Sequence, residues 1–418
     1  MTQHRTGAGM RSGRRASALA VGLVVVSLWT AGCNLGGDPD IVTIGPNDPL
    51  HLAFWGVISG ADATLGTDSR RGVELAIDDK GGKLLNHNIT LTSEDGLCTP
   101  AGGATAATKL AADRTIVALV GSICSDETVG GIASITAAGM TTISPSNTRP
   151  ALTDPTRDAT YAGYLRTAHS DSFQGKAVAE FIKNELGLTT MATIHDGSAY
   201  GQALQQVAAD NFTGLGGTVT SQQAVQKDQT NMQDVLNTIA TSNAGGPPDV
   251  LYYPIFTAAG GYITAQVRDV PGMADVVLIG SDGLFSKDFV NAAGPNAEGM
   301  YLSSPDFTKF PAGYQGFLAK YKAKYGQDPT QIFHAHAYDA TNIIFAAIEK
   351  VAKDTNGTLT ISRKALREAI YATKDFPGIT GTLTCNQYGD CGAPVIAVYQ
   401  ITARETGGEW PPVAPIWP

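Results

Sequence analysis

Residues Gly121 to Thr148 read GSICSDETVGGIASITAAGMTTISPSNT, and this stretch decides the fold. An apolar run that ends at Val120 predicts a strand, and a turn then leads into a helix of small residues from about Asp126. A second short strand, Thr141 to Ser144, ends in the turn Pro145-Ser-Asn-Thr148. Strand, helix and strand in this order predict a parallel sheet. Because ligands bind outside the carboxyl ends of the strands in such sheets, we expect a pocket at this edge.

The same alternation of short strands and helices continues on both sides of this unit. One series covers residues 51–148, and a second covers residues 168–281. Three longer helices follow Met300, and two strands at 381–384 and 394–402 then predict a hairpin. We therefore predict an α/β fold with two doubly wound, Rossmann-like lobes.

Composition and motifs exclude several classes of function. The 418 residues are 43% hydrophobic, which suffices for two domains, and only 16% are charged, with a net charge of −9. No basic patch stands out, so nucleic acid is not an expected partner. The sequence contains no GxSxG and no P-loop, and Gly214-Leu-Gly-Gly217 ends a helix instead of opening one. His195-Asp196 has no matching nucleophile, so we expect neither an enzyme nor a cofactor.

The N-terminal segment has the pattern of an export signal. Arginines up to Arg15 precede the apolar stretch Ala16 to Trp29, which is short for a membrane span, and Thr30-Ala-Gly-Cys33 resembles a bacterial lipobox. We predict a signal peptide over residues 1–32, a lipid on Cys33 and a flexible tether over 33–48, which anchor the chain outside the cytoplasmic membrane. A secreted product and an uncleaved anchor are the alternatives, and Arg14-Arg15 leaves Sec and twin-arginine export open.

Four cysteines remain after Cys33, an even number that suggests disulfides in an exported protein. Cys385 and Cys391 bracket a turn and are expected to pair locally. Cys98 and Cys124 each follow a predicted strand at neighbouring sheet edges, so they can also pair. A metal site is the alternative, but no CxxC is present and the histidines of His334-Ala-His336 point to different sides of a helix. We therefore expect no metal.

Polar and aromatic residues follow five of the predicted strands. They are Ser125, Ser146 and Thr148 in the first lobe and Tyr200, Phe256 and Asp282 in the second. Taken singly, the hydroxyl residues could simply be turn and cap residues. Taken together, they offer donors for a carboxylate and an acid for an ammonium group, which is the set that a buried amino acid needs.

At these positions the sequence resembles the leucine/isoleucine/valine-binding proteins, which are type I periplasmic binding proteins of ABC importers. The resemblance covers residues 49–402 and rests on Cys124-Ser125, Ser144-Pro-Ser-Asn-Thr148, His195-Asp-Gly-Ser-Ala-Tyr200-Gly201 and Gly280-Ser-Asp-Gly283. It implies that Ser125 and Thr148 hold the carboxylate and ammonium of the ligand and that Ser146 contributes mainly backbone. It also implies that Tyr200 faces the ligand, that Asp282 pairs with the ammonium, and that Cys98 and Cys124 form a disulfide.

Two departures from the family pattern concern the side-chain end of the pocket. Phe256 replaces a tyrosine, and Leu65 replaces an aromatic residue. The preference among aliphatic amino acids, amides or urea, and small aromatic acids therefore stays open.

The resemblance further implies lobes that close on the ligand about a hinge. We expect an N-terminal lobe of residues 49–166 and 303–377, a C-terminal lobe of 167–302 and 378–402, and a Pro-rich tail from 403 to 418. It also implies a monomer that a membrane permease recognises, with ligand sensing as the alternative role.

Overall fold

The computed structural model describes residues 40–418 of the chain. Its strands are β1 (Ile41–Ile44), β2 (Leu50–Gly56), β3 (Lys83–Leu84), β4 (His87–Asp95), β5 (Ile116–Gly121), β6 (Thr142–Ser144), β7 (Tyr164–Arg166), β8 (Thr190–His195), β9 (Thr218–Ala224), β10 (Val250–Tyr253), β11 (Val277–Gly280), β12 (Tyr301–Pro305), β13 (Lys353–Thr355), β14 (Thr358–Ser362), β15 (Phe376–Pro377), β16 (Thr382–Leu383) and β17 (Ile396–Gln400). Its α-helices are α1 (Ala63–Asp79), α2 (Pro100–Ala112), α3 (Ser125–Ala137), α4 (Asp171–Glu180), α5 (Ala199–Gly214), α6 (Gln233–Ala240), α7 (Thr257–Gln266), α8 (Lys287–Ala293), α9 (Gly313–Tyr325), α10 (His334–Val351), α11 (Arg363–Tyr371) and α12 (Ala403–Thr406). The expected signal peptide, Cys33 and the start of the tether lie outside the described residues. Between residues 40 and 418, no helix combines the length and the apolar character needed to cross a membrane.

The first lobe is built on a sheet with the strand order β3-β4-β2-β5-β6-β7. All neighbouring strands are parallel except β3 and β4. Phe54 of β2 packs into the core on one face, together with residues of α1 and α10, and Trp55 packs into the core on the other face, with α2 and α3. A parallel sheet with helices on both faces is the doubly wound arrangement that the sequence predicts.

The second lobe repeats this architecture with the strand order β17-β12-β11-β10-β8-β9. Strands β8 to β12 are parallel, and only β17 runs antiparallel to its neighbour β12. Strand β10 is buried along its whole length, as expected for a central strand between two layers of helices. The two-lobed α/β fold predicted from the sequence is therefore confirmed.

The predicted tether extends too far along the chain, because residues 41–44 form strand β1. This strand pairs antiparallel with β14, which also pairs with β13, and Val42 and Ile44 are buried. The sequence Ile41-Val-Thr-Ile44 consists of β-branched residues that favour a pleated, half-buried strand. The Gly, Pro and Asp residues on either side obscure this signal in the sequence.

Two of the three predicted crossovers between the lobes lie later than expected. Strand β12 belongs to the second sheet and continues to Pro305, so the chain returns to the first lobe after that residue and not at 302. The backbone N–H groups of Ile379 and Thr380 donate to Asp339 of α10, a helix of the first lobe, at 2.9 Å each. The third crossover therefore follows β16 instead of falling at 378.

The predicted hairpin between residues 381–384 and 394–402 is wrong. Strand β16 pairs with β15, whereas β17 joins the edge of the second sheet beside β12. Ala397, Val398 and Tyr399 of β17 are buried there, and this apolar burial outweighs a local pairing of the two strands. The tail also differs from a purely extended segment: it begins with α12, and Trp417 near its end forms a bridge with Val398.

Candidate functional site

Carboxyl ends of strands from both sheets meet at a cavity between the lobes. Six of the seven predicted site residues line it: Leu65, Ser125, Ser146, Tyr200, Phe256 and Asp282. Thr148, two residues after Ser146 in the sequence, is buried and does not line the cavity. The space open to the centre of a water-sized sphere is about 20 Å³. Because this volume is close to that of a single water molecule, an amino acid can enter only when the lobes or the lining side chains move.

The wall from the first lobe offers one hydroxyl group with no hydrogen-bond partner among the described residues, that of Ser125, the first residue of α3. The Thr148 hydroxyl is also almost fully buried, but it lies beside Asp171 and not in the wall. The Ser146 hydroxyl, in contrast, donates to the Ile123 carbonyl oxygen at 2.5 Å. Burying an unpaired hydroxyl costs free energy, so Ser125 is the hydroxyl residue of this wall that gains most from a polar ligand.

Glu127 fixes the loop that carries Ser125. Its carboxylate accepts hydrogen bonds from the backbone N–H groups of Ile123 and Cys124 at 3.0 Å and of Cys98 at 3.1 Å. Burial raises the pKa of Glu127 to about 7, against the effect of these three N–H donors. Cys98 and Cys124 are joined by a disulfide, and Cys385 and Cys391 form a second one. The first disulfide and Glu127 together hold the start of α3 in place.

In the second lobe, Tyr200 and Asp282 lie in direct contact. The Tyr200 hydroxyl donates to Oδ1 of Asp282 at 2.5 Å and lies 2.6 Å from Ser281 Oγ. Gln174 Nε2 donates to the same carboxylate oxygen at 3.0 Å. The pKa of Tyr200 is raised well above its ordinary value, first by burial and then by the charges of Asp282 and Asp171. Tyr200 therefore stays protonated and orients the Asp282 carboxylate.

Asp196, which belongs to the His195-Asp196 pair, has a positioning role. Its carboxylate accepts hydrogen bonds from the backbone N–H of Phe256 at 3.1 Å and of Ser198 at 3.0 Å. These contacts hold the loop before α7 and the start of α5, which carries Tyr200. The ring of Phe256 lies 5.3 Å from that of Tyr200, between centroids.

Asp171 is a buried acidic residue near Asp282 that the sequence analysis missed, although it does not line the cavity. It is the first residue of α4, it is fully buried, and neither carboxylate oxygen has a hydrogen-bond partner among the described residues. Its backbone N–H donates to the Thr148 carbonyl oxygen at 2.9 Å. Burial and the charge of Asp282 raise the pKa of Asp171 well above its ordinary value, while the Thr148 hydroxyl and Arg166 oppose the rise. A cation placed between the two carboxylates would relieve this cost.

The residues that the sequence analysis missed differ in how clearly the sequence indicates them. Asp171 follows the end of β7, so the strand-end rule that selected Asp282 would also have selected it. Gln331 and Phe333 also line the cavity, but they lie just before one of the helices predicted after Met300, and only the structure shows that this helix, α10, begins at His334. A loop residue of this kind carries no recognisable motif.

The lobes contact each other across the cavity, so the structure is a closed form. Lys227 of the second lobe lies 3.2 Å from Asp126 Oδ2 and donates to the Cys98 carbonyl oxygen at 2.8 Å. On another side of the cavity, the Thr64 hydroxyl donates to Asp288 at 2.7 Å. In residues 40–418, no cluster of three or more His, Cys, Asp or Glu side chains is arranged to hold a metal ion.

Comparison with known proteins gives the family of the chain. Residues 49–406 match the periplasmic binding protein family, and the chain belongs to this family. Its members bind solutes and are not enzymes, as the sequence predicts, and membership implies an extracytoplasmic location.

Relatives and solved structures agree with this assignment. The Leu/Ile/Val-binding protein homolog 3 of Brucella melitensis is 26% identical over 364 residues, which cover 86% of this chain and 91% of the relative. The branched-chain amino acid transporter substrate-binding protein of Streptococcus pneumoniae, solved with isoleucine, has a TM-score of 0.72 at 24% identity and covers 86% and 97% of the two chains. A solute-binding protein of R. palustris, solved with benzoate, has a TM-score of 0.72 at 21% identity over 88% and 97%. The structural likenesses define the fold alone.

Proposed function

We propose that the chain is the substrate-binding component of an ABC importer and binds a small aliphatic amino acid, of the branched-chain type, between its lobes. The observation that carries this proposal is the division of polar groups across the cavity. Donors for an anion, the unpartnered hydroxyl of Ser125 and the start of α3, lie on the wall from the first lobe, and a set of acceptors for a cation, the oxygens of the Asp282 carboxylate, lies on the wall from the second lobe. A zwitterion supplies one partner for each set, which avoids the cost of an unpaired buried charge.

The ligand carboxylate, in this proposal, lies at the start of α3. The Ser125 hydroxyl and the first free N–H groups of the helix are its donors, and the positive end of the helix dipole favours an anion there. The ammonium group lies toward Asp171 and Asp282, with the Thr148 hydroxyl nearby. The aliphatic side chain then contacts Leu65, whose neighbours on the cavity wall include Phe256 and Phe333.

The two carboxylates also distinguish this ligand from the alternatives. The R. palustris neighbour was solved with benzoate, an acid that carries no cation. In this chain such a ligand would leave Asp171 and Asp282 without a positive partner, which disfavours it. An amide or urea offers N–H donors to the carboxylates and therefore belongs in the same test. The name of the B. melitensis relative supports leucine, isoleucine and valine as the first ligands to try.

Isothermal titration of the purified protein, refolded to remove carried-over ligand, tests the proposal. The panel comprises leucine, isoleucine, valine, phenylalanine, acetamide, urea and benzoate. We expect micromolar or tighter binding of at least one aliphatic amino acid. Binding of acetamide, urea or benzoate alone, with no response to any amino acid, would contradict the proposed ligand class while leaving the fold unaffected.

Replacement of Asp282 by asparagine tests the ammonium assignment. The variant keeps the shape of the side chain but loses the charge, so we expect amino-acid affinity to fall by about 2–5 kcal/mol, or roughly thirtyfold or more. Ser125→Ala should cost less, because the backbone N–H at that position remains. Asp210→Asn, on the exposed face of α5, is the matched control and should bind normally. Unchanged affinity in Asp282→Asn would rule out the assignment.

We further propose that the chain is a monomer held at the outer face of the membrane by a lipid on Cys33 and that it delivers its ligand to a membrane permease. The support is the lipobox-like sequence Thr30-Ala-Gly-Cys33 behind an apolar segment. When cells that express Cys33→Ser are fractionated, the variant should be found in the soluble fraction, whereas the wild-type protein should be found in the membrane fraction. Size-exclusion chromatography with light scattering checks the monomer, and a variant that stays in the membrane fraction would contradict the lipid anchor.

A further inference from the structure

A second cavity of about 280 Å³ lies beside the ligand cavity and is surrounded by aromatic rings. We call it the aromatic chamber; its rings belong to Phe285, Phe307, Tyr314, Tyr399 and Trp410. Helix α9 and the segment before α10 form the side from the first lobe. Phe285, Tyr399 and the C-terminal residues 410–413 form the side from the second lobe. The chamber therefore lies between the lobes, as the ligand cavity does.

The rings of the chamber are arranged in a way that suits a planar guest. The rings of Tyr314 and Phe307 are stacked, with centroids 6.2 Å apart and an interplanar angle of 18°. The imidazole of His334 stacks on Tyr314 at 5.8 Å and 17°. Trp410 meets Phe285 edge to face at 5.0 Å. Aromatic rings attract one another at these separations in both arrangements, so a further ring can pack against these walls.

The chamber has no unpaired cation among the described residues of its lining. Burial lowers the pKa of His334 to about 4, against the opposing effects of Asp68 and the Gln331 carbonyl, so the imidazole is neutral at pH 7. Its Nδ1 lies 2.7 Å from the Gln331 carbonyl oxygen and must donate, so Nε2 accepts from the Tyr314 hydroxyl at 2.9 Å. Asp328, the acidic group of the lining, pairs with Lys322. This lining favours an uncharged molecule over an acid.

Residues Gln331 to Phe333 separate the chamber from the ligand cavity. Gln331 lines both cavities, Ile332 lines the chamber, and Phe333 lines the ligand cavity. The Gln331 side-chain amide donates to Thr64 Oγ1 at 3.0 Å, and its backbone N–H donates to Asp68 at 2.9 Å. These bonds fix the partition, so the chamber is separate from the ligand cavity.

The roof of the chamber lies outside the region of the chain that matches the family. Residues 410–413 lie beyond the region 49–406 that matches the family. Trp410 packs on the core of the second lobe, and Arg404 donates to the Pro411 carbonyl oxygen at 2.9 Å, so the roof is held in place.

We propose that the aromatic chamber is a second binding site, which takes an uncharged aromatic molecule of one or two rings. An engineered apolar cavity of about 150 Å³ is sufficient to bind benzene. The aromatic chamber is larger, six of its lining residues carry aromatic rings, and the polar groups of His334 and Gln331 are already paired with protein atoms. Because its walls come from both lobes, an occupant also adds contacts that exist in the closed form.

Titration of the purified chain with indole, an uncharged molecule of two fused rings, tests the proposal. We expect saturable binding of one indole per chain by calorimetry. Indole-3-acetate, which adds a carboxylate to the same rings, should bind at least tenfold more weakly. Asp282→Asn should bind indole as wild type does, because Asp282 does not line the chamber. The indole test therefore stays valid even if the amino-acid proposal fails.

Two variants locate the site. Leu318→Phe fills part of the chamber and should weaken indole binding at least tenfold, whereas Leu215→Phe, the same change on the other lobe, should have no effect. Trp410→Ala removes part of the roof and should also weaken binding, and circular dichroism checks that each variant is folded. An absence of saturable binding overturns the proposal. Equal binding by wild type, Leu318→Phe and Trp410→Ala overturns it as well, since indole would then be an adventitious additive only.

Discussion

Asp171 links the stability of the protein to its ligand affinity. The residue is fully buried beside Asp282, and burial together with that neighbouring charge raises its pKa well above the ordinary value of 3.8. A group whose pKa is raised on folding stabilises the protein fully below the unfolded pKa, and this contribution is lost as the pH rises through the folded pKa. At neutral pH, ionised Asp171 therefore lowers the stability of the ligand-free protein. When an ammonium group is bound, the same charge favours binding.

Asp171→Asn should for this reason be more stable than wild type and bind amino acids less well. Asparagine cannot ionise, so we expect a gain of about 1–2 kcal/mol in the free energy of unfolding at pH 7, which disappears near pH 3. Ligand affinity should fall about tenfold, which corresponds to about 1.4 kcal/mol. Urea denaturation at both pH values and calorimetry at pH 7 measure the two effects. If the variant lost both stability and affinity, the hypothesis that the buried Asp171 carboxylate destabilises the ligand-free protein and is stabilised by the ligand would be wrong.

At the scale of elements, the short disulfide loop fixes the first crossover between the lobes. Asp390, inside the Cys385–Cys391 loop, accepts from Arg166 Nε at 3.1 Å and Nη2 at 2.9 Å. Arg166 ends β7, is fully buried, and also donates to the Asn147 and Arg149 carbonyl oxygens near the hydroxyl-bearing turn. One ion pair thus joins the third crossover to the first and supports the loop that carries Thr148.

Asp390→Ala should destabilise the fold strongly. The substitution leaves the buried guanidinium of Arg166 without its counter-ion, which typically costs about 3 kcal/mol or more. The control is Asp328→Ala, which breaks the exposed pair with Lys322 at 2.9 Å and should cost less than about 1 kcal/mol. Urea denaturation measures both. Equal losses in the two variants would mean that Arg166 does not depend on Asp390.

The elements that the sequence predicted well are those with strong local patterns. Strand β5 is an apolar run bounded by turn residues; the sequence predicts that it ends at Val120, and it ends at Gly121. Helix α5 follows a serine cap and ends just before a glycine pair, which are strong local signals for its two ends. Strands β1 and β17 were misjudged because their partners, β14 and β12, are distant in sequence. Pairing over long separations depends on tertiary burial, which local patterns do not encode.

At the scale of the whole molecule, the site also combines residues that local sequence patterns indicate with residues that only tertiary packing brings to the cavity. Residues that follow strands in recognisable motifs, such as Ser125 and Asp282, were predicted and lie on one cavity. Gln331 and Phe333 come from a loop that reaches the cavity only because α1 and α10 pack closely. A Cβ atom on Gly72 of α1 would lie 2.1 Å from the His334 carbonyl oxygen. Contacts of this kind between distant segments are visible only in the folded chain.

Closure of the two lobes brings acidic groups together at the outer edge of the cleft. Asp62 belongs to the first lobe, and Asp196 and Lys227 belong to the second, with Asp228 also nearby. Burial raises the pKa of Asp62 to about 6; Lys227 opposes this rise, and Asp196 adds to it. When the lobes separate, Asp62 gains solvent and loses Asp196, so we expect its pKa to return toward 3.8 in the open form.

Asp62 should therefore make closure, and with it ligand affinity, dependent on pH. Its pKa is higher in the closed form, so this group favours closure below about pH 4 and loses that contribution as the pH rises through 6. We expect Asp62→Asn, which cannot ionise, to bind amino acids about tenfold more tightly than wild type at pH 7.5 and equally well near pH 4. Dividing the affinity of Asp62→Asn by that of wild type at each pH cancels the effect of other groups that titrate in this range, because both proteins contain them. Asp228→Asn is the control and should follow wild type at every pH. A ratio that stays at one throughout would show that Asp62 is equally solvated in both forms and does not make closure dependent on pH.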